Sequence, residues 1–410
     1  MPNFSRRSTE ADRLRPAVFT RLLPLLRQLP EPPLPLHIGD TYLSPPEAAR
    51  LTSVCTAEDP SWYRYSSPAG ELPLREAFCE RWSALGRRGL SVDHVHVTLG
   101  ATGAVQAAMR VFCSPGDDVL ILAPFWPLVR GIALSCGANP VEVSFYDQIR
   151  QGVSATQLLE SAKTDKTTTV YMCSPNNPDG TVLSADQLNE VAQFCIKHDL
   201  WLISDEAYCD HVFAPAKRQF IANLPGMAER VASTYTASKS YALAGLRLGF
   251  LVGAPQWLEY SRRVSTHQVY NVPMATQQAV QGAIEHGHDW LQQSRDKYAQ
   301  AAKLVHDNLN ASFHHAQGAG YVFCDLREDL GDKSTLQWIA ELLHEGVSIA
   351  PGAAFGSAYE KWVRVCYMSL PPDQLMIAID RLNQSLHRIR KGEPFDGPRI
   401  ELQLSLGGQS

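Results

Sequence analysis

A lysine among hydroxyl side chains is the feature of this chain that most directly indicates chemistry. Residues 236–239 read Thr-Ala-Ser-Lys, and Arg247 follows eight positions after Lys239. A primary amine condenses with an aldehyde, while hydroxyl groups and a guanidinium hold a phosphate. An aldehyde that carries a phosphate describes pyridoxal 5'-phosphate (PLP). A solvated surface lysine can stand in a similar segment, so the residues upstream decide between the two interpretations.

The elements expected to position this lysine alternate between apolar strands and amphipathic helices. Ser184 and Gln187 form the pattern of a capping box at the start of one such helix. Strands are predicted at 95–99, 119–122, 168–173, 200–204, 231–235 and 246–252, and helices at 71–85, at 101–113 and from 184 onward. Continuous apolar strands separated by helices predict an α/β fold with a mostly parallel sheet covered on both faces.

Beyond residue 288 the pattern changes to that of a smaller α+β unit. A long polar-striped helix is predicted over 289–310, and shorter strands and helices follow until a closing helix over 372–390. The predicted domains are an N-terminal segment (1–50) that joins the small domain, a large domain (51–288), a small C-terminal domain with its linking helix (289–392), and a tail (393–410).

Polar or aromatic side chains follow five successive predicted strands. Taken singly, Asn177 is typical of a turn, Trp126 of packing and Tyr208 of a core edge. Ligands bind beyond the carboxyl ends of parallel strands, and a joint functional interpretation is therefore favoured. The residues at these strand ends are Ala101, Thr102, Trp126, Asn177, Asp205, Tyr208, Thr236, Ser238 and Lys239.

Three segments in the right order resemble the signature of a known family. They are 174–180 (Ser-Pro-Asn-Asn-Pro-Asp-Gly), 204–208 (Ser-Asp-Glu-Ala-Tyr) and 238–249 (Ser-Lys-x7-Arg-x-Gly). This signature is that of the class I/II aminotransferases, which are PLP-dependent enzymes of fold type I in the aspartate aminotransferase superfamily. The resemblance runs from about residue 38 to residue 364. It implies a seven-stranded sheet between helices in the large domain.

The resemblance also implies a role for each residue that carries it. Lys239 would hold PLP as an internal aldimine and shuttle a proton at the substrate Cα. Asp205 would keep the pyridine nitrogen protonated, which makes the ring an electron sink. Asn177 and Tyr208 would hydrogen-bond the ring 3'-oxygen. Trp126 would stack on the ring.

The remaining implied roles concern the phosphate, the substrate and a second subunit. Arg364 would clamp the substrate α-carboxylate, with Asn177 and the backbone of Gly39 beside it. Tyr65 would reach the phosphate of the other subunit, which implies a homodimer with its active sites at the interface. The phosphate would be bound by Ala101, Thr102, Thr236, Ser238 and Arg247.

The residues that would select the amino donor depart from the dicarboxylate-specific relatives. In those relatives an arginine near the segment 265–271 receives the side-chain carboxylate, whereas this segment contains none. A neutral or aromatic donor is therefore predicted, with a 2-oxo acid as the acceptor. The same constellation supports a lyase, an oxidase or an enzyme similar to 1-aminocyclopropane-1-carboxylate synthase, and this alternative stays open at the level of sequence.

Composition limits the other classes. The net charge of −5 and the absence of a long apolar run predict neither a nucleic-acid nor a membrane partner. No metal site is expected, because the histidines lack ligand spacing with the cysteines. The nine cysteines are odd in number and include no C-x-x-C pair, which argues against a disulfide framework and favours a reducing compartment, the cytoplasm. A non-catalytic ligand sensor with the PLP fold, attached to a DNA-binding domain, is disfavoured, because no helix-turn-helix segment precedes the fold.

Overall fold

A seven-stranded sheet forms the centre of the molecule. The computed structural model describes residues 8–14, 26–54 and 60–397. Within them the strands, in chain order, are β1 (Leu34–Pro35), β2 (Val95–Thr98), β3 (Asp118–Ala123), β4 (Asn139–Ser144), β5 (Thr167–Cys173), β6 (Trp201–Asp205), β7 (Val231–Thr236), β8 (Gly249–Val252), β9 (Ser312–Phe313), β10 (Tyr321–Asp325), β11 (Val347–Ser348), β12 (Ala350–Pro351) and β13 (Trp362–Cys366). The central sheet has the order β2-β8-β7-β6-β5-β3-β4, in which β8 alone runs antiparallel to its neighbours. The predicted mostly parallel, seven-stranded sheet is confirmed.

Helices cover both faces of this sheet. Alternate residues of a strand point to opposite faces, so neighbouring residues of one strand pack against different helices. On β3, Val119 packs in a buried cluster with the helix Gly100–Phe112. Its neighbour Leu120 packs in a different cluster, with the helix Ala185–Lys197. Each such fully buried side chain contributes about 1.5–3 kcal/mol. Burial on both faces explains why β3 is continuously apolar in sequence.

The helix Ala185–Lys197 begins at the capping signal that the sequence predicts. Ser184 accepts from the backbone N–H of Gln187 at 3.2 Å, and the Gln187 side chain accepts from the N–H of Ser184 at 2.9 Å, as a capping box requires. In the part of the chain described, the helices are Thr9–Arg13, Leu51–Val54, Leu72–Ala84, Gly100–Phe112, Leu128–Ser135, Tyr146–Arg150, Ala155–Ala162, Ala185–Lys197, Ala237–Ser240, Pro255–Val269, Met274–His286, His288–Asn308, Arg327–Leu330, Thr335–His344 and Pro372–Arg390.

A second, smaller sheet lies near the C-terminus with the order β12-β13-β10-β9 and antiparallel pairing throughout. Its core includes the fully buried Trp338, whose indole N–H donates to the Ser385 hydroxyl at 3.0 Å. The N-terminal segment reaches this unit, because β1 pairs in parallel with β11 and Leu36 lies in the same core. Residues 398–410 of the predicted tail and parts of the N-terminal segment (1–7 and 15–25) lie outside the described residues.

The strand predicted over 246–252 begins later than expected, at Gly249. Residues 244–246 form a short 3-10 helix, and Arg247 takes a left-handed conformation with φ of 56°. A side chain other than glycine adopts this conformation only where the surrounding structure holds it there. The turn directs Arg247 toward the start of the helix Gly100–Phe112.

Candidate active site

The carboxyl ends of β5, β6 and β7 meet along one edge of the central sheet and open into a cleft. Asp205 is the last residue of β6, and Lys239 lies three residues after the end of β7. Ten of the predicted cofactor residues line this one cleft: Ala101, Thr102, Trp126, Asn177, Asp205, Tyr208, Thr236, Ser238, Lys239 and Arg247. The fold therefore brings together residues that are up to 146 positions apart in sequence.

One end of the cleft is built to hold an anion. The helix Gly100–Phe112 begins there, and its first N–H groups, including those of Ala101 and Thr102, have no acceptors within the helix. The Arg247 guanidinium lies against the same turn: a Cβ added to Gly100 would be 2.8 Å from its Nη2. The Ser238 hydroxyl, which accepts from the Thr236 hydroxyl at 2.9 Å, lies at the same end of the cleft. We call this group of donors the anion cup; it consists of Ala101, Thr102, Thr236, Ser238 and Arg247.

Lys239 lies in the middle of the cleft on the short helix Ala237–Ser240. Its ammonium Nζ donates to the carbonyl oxygen of Gly39. Burial lowers the pKa of Lys239, while the nearby charge of Asp40 opposes that change. A lowered pKa increases the fraction of neutral amine near pH 7, and the neutral amine is the nucleophile.

Asp205 is a buried carboxylate that forms no ion pair with any cationic side chain in the described part of the chain. Tyr171 donates its hydroxyl to Oδ2 at 2.7 Å, and Oδ1 accepts from the Thr234 hydroxyl and the Ala207 N–H, both at 3.2 Å. Burial raises the pKa of Asp205, and these hydrogen bonds act in the opposite direction. A carboxylate in an apolar site is stabilised most by a cationic partner, so this position suits a ligand that brings a positive charge.

The far wall of the cleft connects Tyr208 and Asn177 to Arg364. Arg364 donates from Nη1 to Asn177 Oδ1 at 2.9 Å and from Nη2 to the His37 carbonyl at 2.7 Å. Its guanidinium lies 4.2 Å from the centre of the Tyr321 ring, whose hydroxyl is 2.5 Å from that of Tyr208. Among the residues described, Arg364 Nε is buried without a hydrogen-bond partner, which leaves a donor for a bound acid group.

Two predicted site residues differ from the rest in where they lie. Gly39 contacts the site through its backbone, and a side chain there would collide with the Tyr321 hydroxyl. Tyr65 does not line the cleft of its own chain. Its side chain is 84% exposed, and its ring packs 4.8 Å from that of Tyr270.

Sequence reasoning missed Tyr171 and Tyr321, the two tyrosines that hydrogen-bond predicted site residues. Both are fully buried on strands, where an aromatic residue is typical of the core. The available signal was the polar hydroxyl, which needs a partner when it is buried. That partner is 34 residues away for Tyr171 and 113 residues away for Tyr321, so spacing along the chain could not reveal it.

Comparison with known proteins assigns the family. The family model "Aminotransferase class I and II" matches residues 31–382. The chain belongs to this family. An aromatic-amino-acid aminotransferase 2 of Thermococcus litoralis is 30% identical over 396 residues, covering 94% of this chain and 97% of the relative. An aspartate aminotransferase of Pyrococcus abyssi is 31% identical over 338 residues, covering 80% and 83%.

A solved structure agrees with this family assignment. The aromatic aminotransferase of Pyrococcus horikoshii is 28% identical and superposes with a TM-score of 0.81, covering 90% of this chain and 99% of the other. The protein is therefore a PLP-dependent aminotransferase of fold type I, and its substrates are amino acids and 2-oxo acids. Within residues 8–14, 26–54 and 60–397, no helix is long and apolar enough to cross a bilayer, and no three His, Cys, Asp or Glu side chains are placed to hold a metal ion.

The residues of the cleft fit PLP. The donor cup suits its phosphate, the amine of Lys239 suits its aldehyde, and the unneutralised carboxylate of Asp205 suits its ring nitrogen in the protonated form. When bound, the cofactor supplies an aldehyde that condenses with amines and a ring that withdraws electrons from the reacting carbon.

Proposed function

We propose that this aminotransferase transfers an α-amino group from a neutral or aromatic amino acid to a 2-oxo acid, with Lys239 as the residue that binds PLP covalently. The observation that carries the proposal is the placement of an amine of lowered pKa, an unneutralised buried carboxylate and an anion cup in one cleft. Lys239 first acts as a nucleophile. Once released, its amine removes a proton from the substrate Cα and returns it later.

Four side chains orient the reactants around Lys239. Asp205 holds the proton of the ring nitrogen, while Asn177 and Tyr208 hydrogen-bond the 3'-oxygen. Arg364 binds the substrate carboxylate, and its buried, unpartnered Nε supports this role. Trp126 lies in the cleft lining, where it can pack on the ring face.

The preference for a neutral or aromatic donor is supported by where the nearest arginines point. Arg262 donates to the backbone carbonyls of Asp93 and Val95 at 2.8 and 3.2 Å, and Arg263 pairs with Glu259 on an exposed helix face. Neither guanidinium lines the cleft. A side-chain carboxylate of the donor would therefore lack a cation from this chain's own helix Pro255–Val269.

A homodimer is supported by an exposed aromatic patch beside the anion cup. Tyr65 is 84% exposed, and its ring packs 4.8 Å from that of Tyr270, which is 47% exposed. Tyr63, two residues before Tyr65, is 93% exposed. Exposed aromatic side chains in one patch are typical of an interface. We propose that a second copy of the chain covers the patch and receives Tyr65 at its phosphate cup.

The domain division and the location of the protein stay predictions from sequence. We propose boundaries after residues 50, 288 and 392, in keeping with the division of the strands into two sheets that are not hydrogen-bonded to each other. A cytoplasmic location is proposed from the absence of any C-x-x-C pair.

A donor panel tests the proposed function. PLP-loaded protein is mixed with phenylalanine, leucine or aspartate, first alone and then with a 2-oxo acid. With donor alone we expect one equivalent of new 2-oxo acid per active site and no ammonia. Phenylalanine or leucine should turn over faster than aspartate once the acceptor is added. Continuous release of ammonia would indicate elimination or oxidation instead, and Lys239→Ala is the inactive control.

A further inference from the structure

Tyr171 lies in the core, yet its hydroxyl contacts a carboxylate of the candidate active site, that of Asp205. The side chain is fully buried in the cluster between the sheet and the helix Gly100–Phe112. A phenylalanine would fill the same space with no polar atom to satisfy. The hydroxyl instead makes one hydrogen bond, a donation of 2.7 Å to Asp205 Oδ2.

The register of the sheet makes this contact possible. Tyr171 on β5 is paired with Ile203 on β6, and Cys173 is paired with Asp205. Residues two apart on a strand share a face, so Tyr171 and Asp205 lie on the same side of the sheet, one step apart along the strands. The length of the phenol carries its hydroxyl to the carboxylate. A shorter hydroxyl side chain, serine or threonine, would not reach.

The donation is the shortest of the three that Asp205 accepts. Oδ1 accepts from Thr234 and from the Ala207 N–H at 3.2 Å, whereas Tyr171 is the donor to Oδ2 within the described chain. Hydrogen bonds to an ionised carboxylate stabilise the charged form. Loss of the Tyr171 hydroxyl would therefore leave half of the carboxylate without a protein donor.

Across the cleft, Lys239 donates to Gly39 and Arg247 lies at the anion cup, and neither pairs with Asp205. The titratable groups packed against Asp205 on its other sides supply no charge. Cys173 on β5 and Tyr146 on the helix Tyr146–Arg150 are both fully buried, and burial raises their pKa well above the ordinary value, so both are neutral. Glu206 points to the other side of the sheet, where Tyr235 donates to it at 2.7 Å. The ionisation of Asp205 thus depends on its hydrogen-bond donors, with Tyr171 foremost.

We propose that Tyr171 is a positioning residue that keeps Asp205 ionised and aimed at the ring nitrogen of PLP, and so sets how strongly the ring withdraws electrons. The proposal rests on the function proposed above. The proton of the ring nitrogen is shared with Asp205. Without the Tyr171 hydrogen bond the carboxylate is more basic and draws that proton from the ring nitrogen toward its own oxygen, and a ring without the proton is a poorer electron sink.

The test compares Tyr171→Phe with Tyr146→Phe. Tyr146 is a matched control, because it is equally buried but donates its hydroxyl to the Cys173 carbonyl at 2.7 Å rather than to Asp205. In the apoprotein, infrared titration follows the protonated-carboxyl band that disappears in Asp205→Asn. We expect Tyr171→Phe to move its midpoint to higher pH and Tyr146→Phe to leave it in place.

Loaded protein gives a second readout. Nitrogen NMR of ring-labelled PLP is expected to show less protonation of the ring nitrogen in Tyr171→Phe than in Tyr146→Phe. The kcat should fall by about 10- to 100-fold, the range of one hydrogen bond to a charged group, with KM for the donor unchanged. A fluorinated tyrosine at position 171, which keeps the shape and donates more strongly, should shift the Asp205 midpoint to lower pH.

Equal Asp205 midpoints and equal nitrogen shifts in Tyr171→Phe and Tyr146→Phe would overturn this inference while the proposed function stands. If Tyr171→Phe does not fold, an unchanged midpoint in the fluorinated variant overturns it instead. A wild-type protein that fails to bind PLP at Lys239 would overturn the proposed function and this inference together.

Discussion

Replacing Asp210 by asparagine is expected to destabilise the protein by about 3 kcal/mol, because Asp210 is the carboxylate that neutralises both Arg81 and Arg218. Asp210 is fully buried two residues after Tyr208. Its carboxylate accepts from Arg81 at 2.7 Å, from Arg218 at 3.1 Å and from the Ser240 hydroxyl at 2.7 Å. The Asp210 carboxylate therefore anchors the short helix Ala237–Ser240, which carries Lys239.

The magnitude follows from the burial of the three partners. Removing one member of a buried ion pair costs about 3–5 kcal/mol, because the remaining charge stays desolvated. The Arg81 and Arg218 side chains keep 15% and 17% of their exposure, so water screens part of their charge and the lower end of the range applies. An amide at position 210 retains the hydrogen bond to Ser240 but cannot neutralise either guanidinium.

Urea unfolding of the apoprotein measures the loss, followed by tryptophan fluorescence with Asp307→Asn as the control. Asp307 pairs with Lys303 on an exposed helix, and we expect the urea midpoint of Asp307→Asn to equal that of the wild type.

Burial raises the pKa of Asp210, but the charges of Arg81 and Arg218 outweigh it and hold the pKa below the ordinary value. The stabilisation is therefore complete above about pH 4 and is lost as pH falls further, a loss that Asp210→Asn should not show. Equal midpoints for Asp210→Asn and Asp307→Asn at pH 7 would refute the reasoning.

Three further substitutions test other parts of the site. Gly249→Ala places a Cβ 2.5 Å from the backbone carbon of Gly100. The substitution should lower the free energy of unfolding by about 1–3 kcal/mol and weaken PLP binding in an equilibrium titration, and an unchanged affinity would contradict the geometry of the anion cup. Arg364→Lys loses the planar fork, so kcat/KM for the donor should fall by about 10- to 100-fold through KM, and an unchanged KM would remove Arg364 from the carboxylate site. Burial lowers the pKa of His211 to about 4. Between pH 6.5 and 4 the unfolded chain binds a proton at this histidine and the folded chain does not, so the free energy of unfolding decreases as pH falls through this window. His211→Phe should flatten that loss by roughly 3 kcal/mol in acid unfolding curves, and an unchanged slope would count against it.

Much of the fold was predictable because the sheet is buried on both faces. β3, β5 and β6 each contain an apolar run, at 119–123, 170–173 and 201–203, and residues that line the cleft lie at or just after the ends of these strands. The edge strand β4 was missed, since its sequence, Asn-Pro-Val-Glu-Val-Ser, is only partly buried and includes proline. The helix Pro255–Val269 was missed as well, because only one side of it is buried and its charged residues obscure the apolar stripe.

The site residues that could be predicted from sequence are those that lie at or just after the end of a strand. Asp205 is the last residue of β6 and Lys239 lies three residues after β7, and parallel strands end side by side. Tyr171 could not be found this way, because its role depends on the register between β5 and β6. The place of Tyr65 depends on a second copy of the chain, which sequence spacing does not specify.

The most direct test of the account is to find which lysine binds the cofactor. PLP-loaded protein is reduced with borohydride, digested and mapped by mass spectrometry. We predict one pyridoxyl adduct, on Lys239, and none in Lys239→Ala. Failure to form any adduct, or an adduct on another lysine that persists in Lys239→Ala, would contradict the assignment on which the proposed function depends.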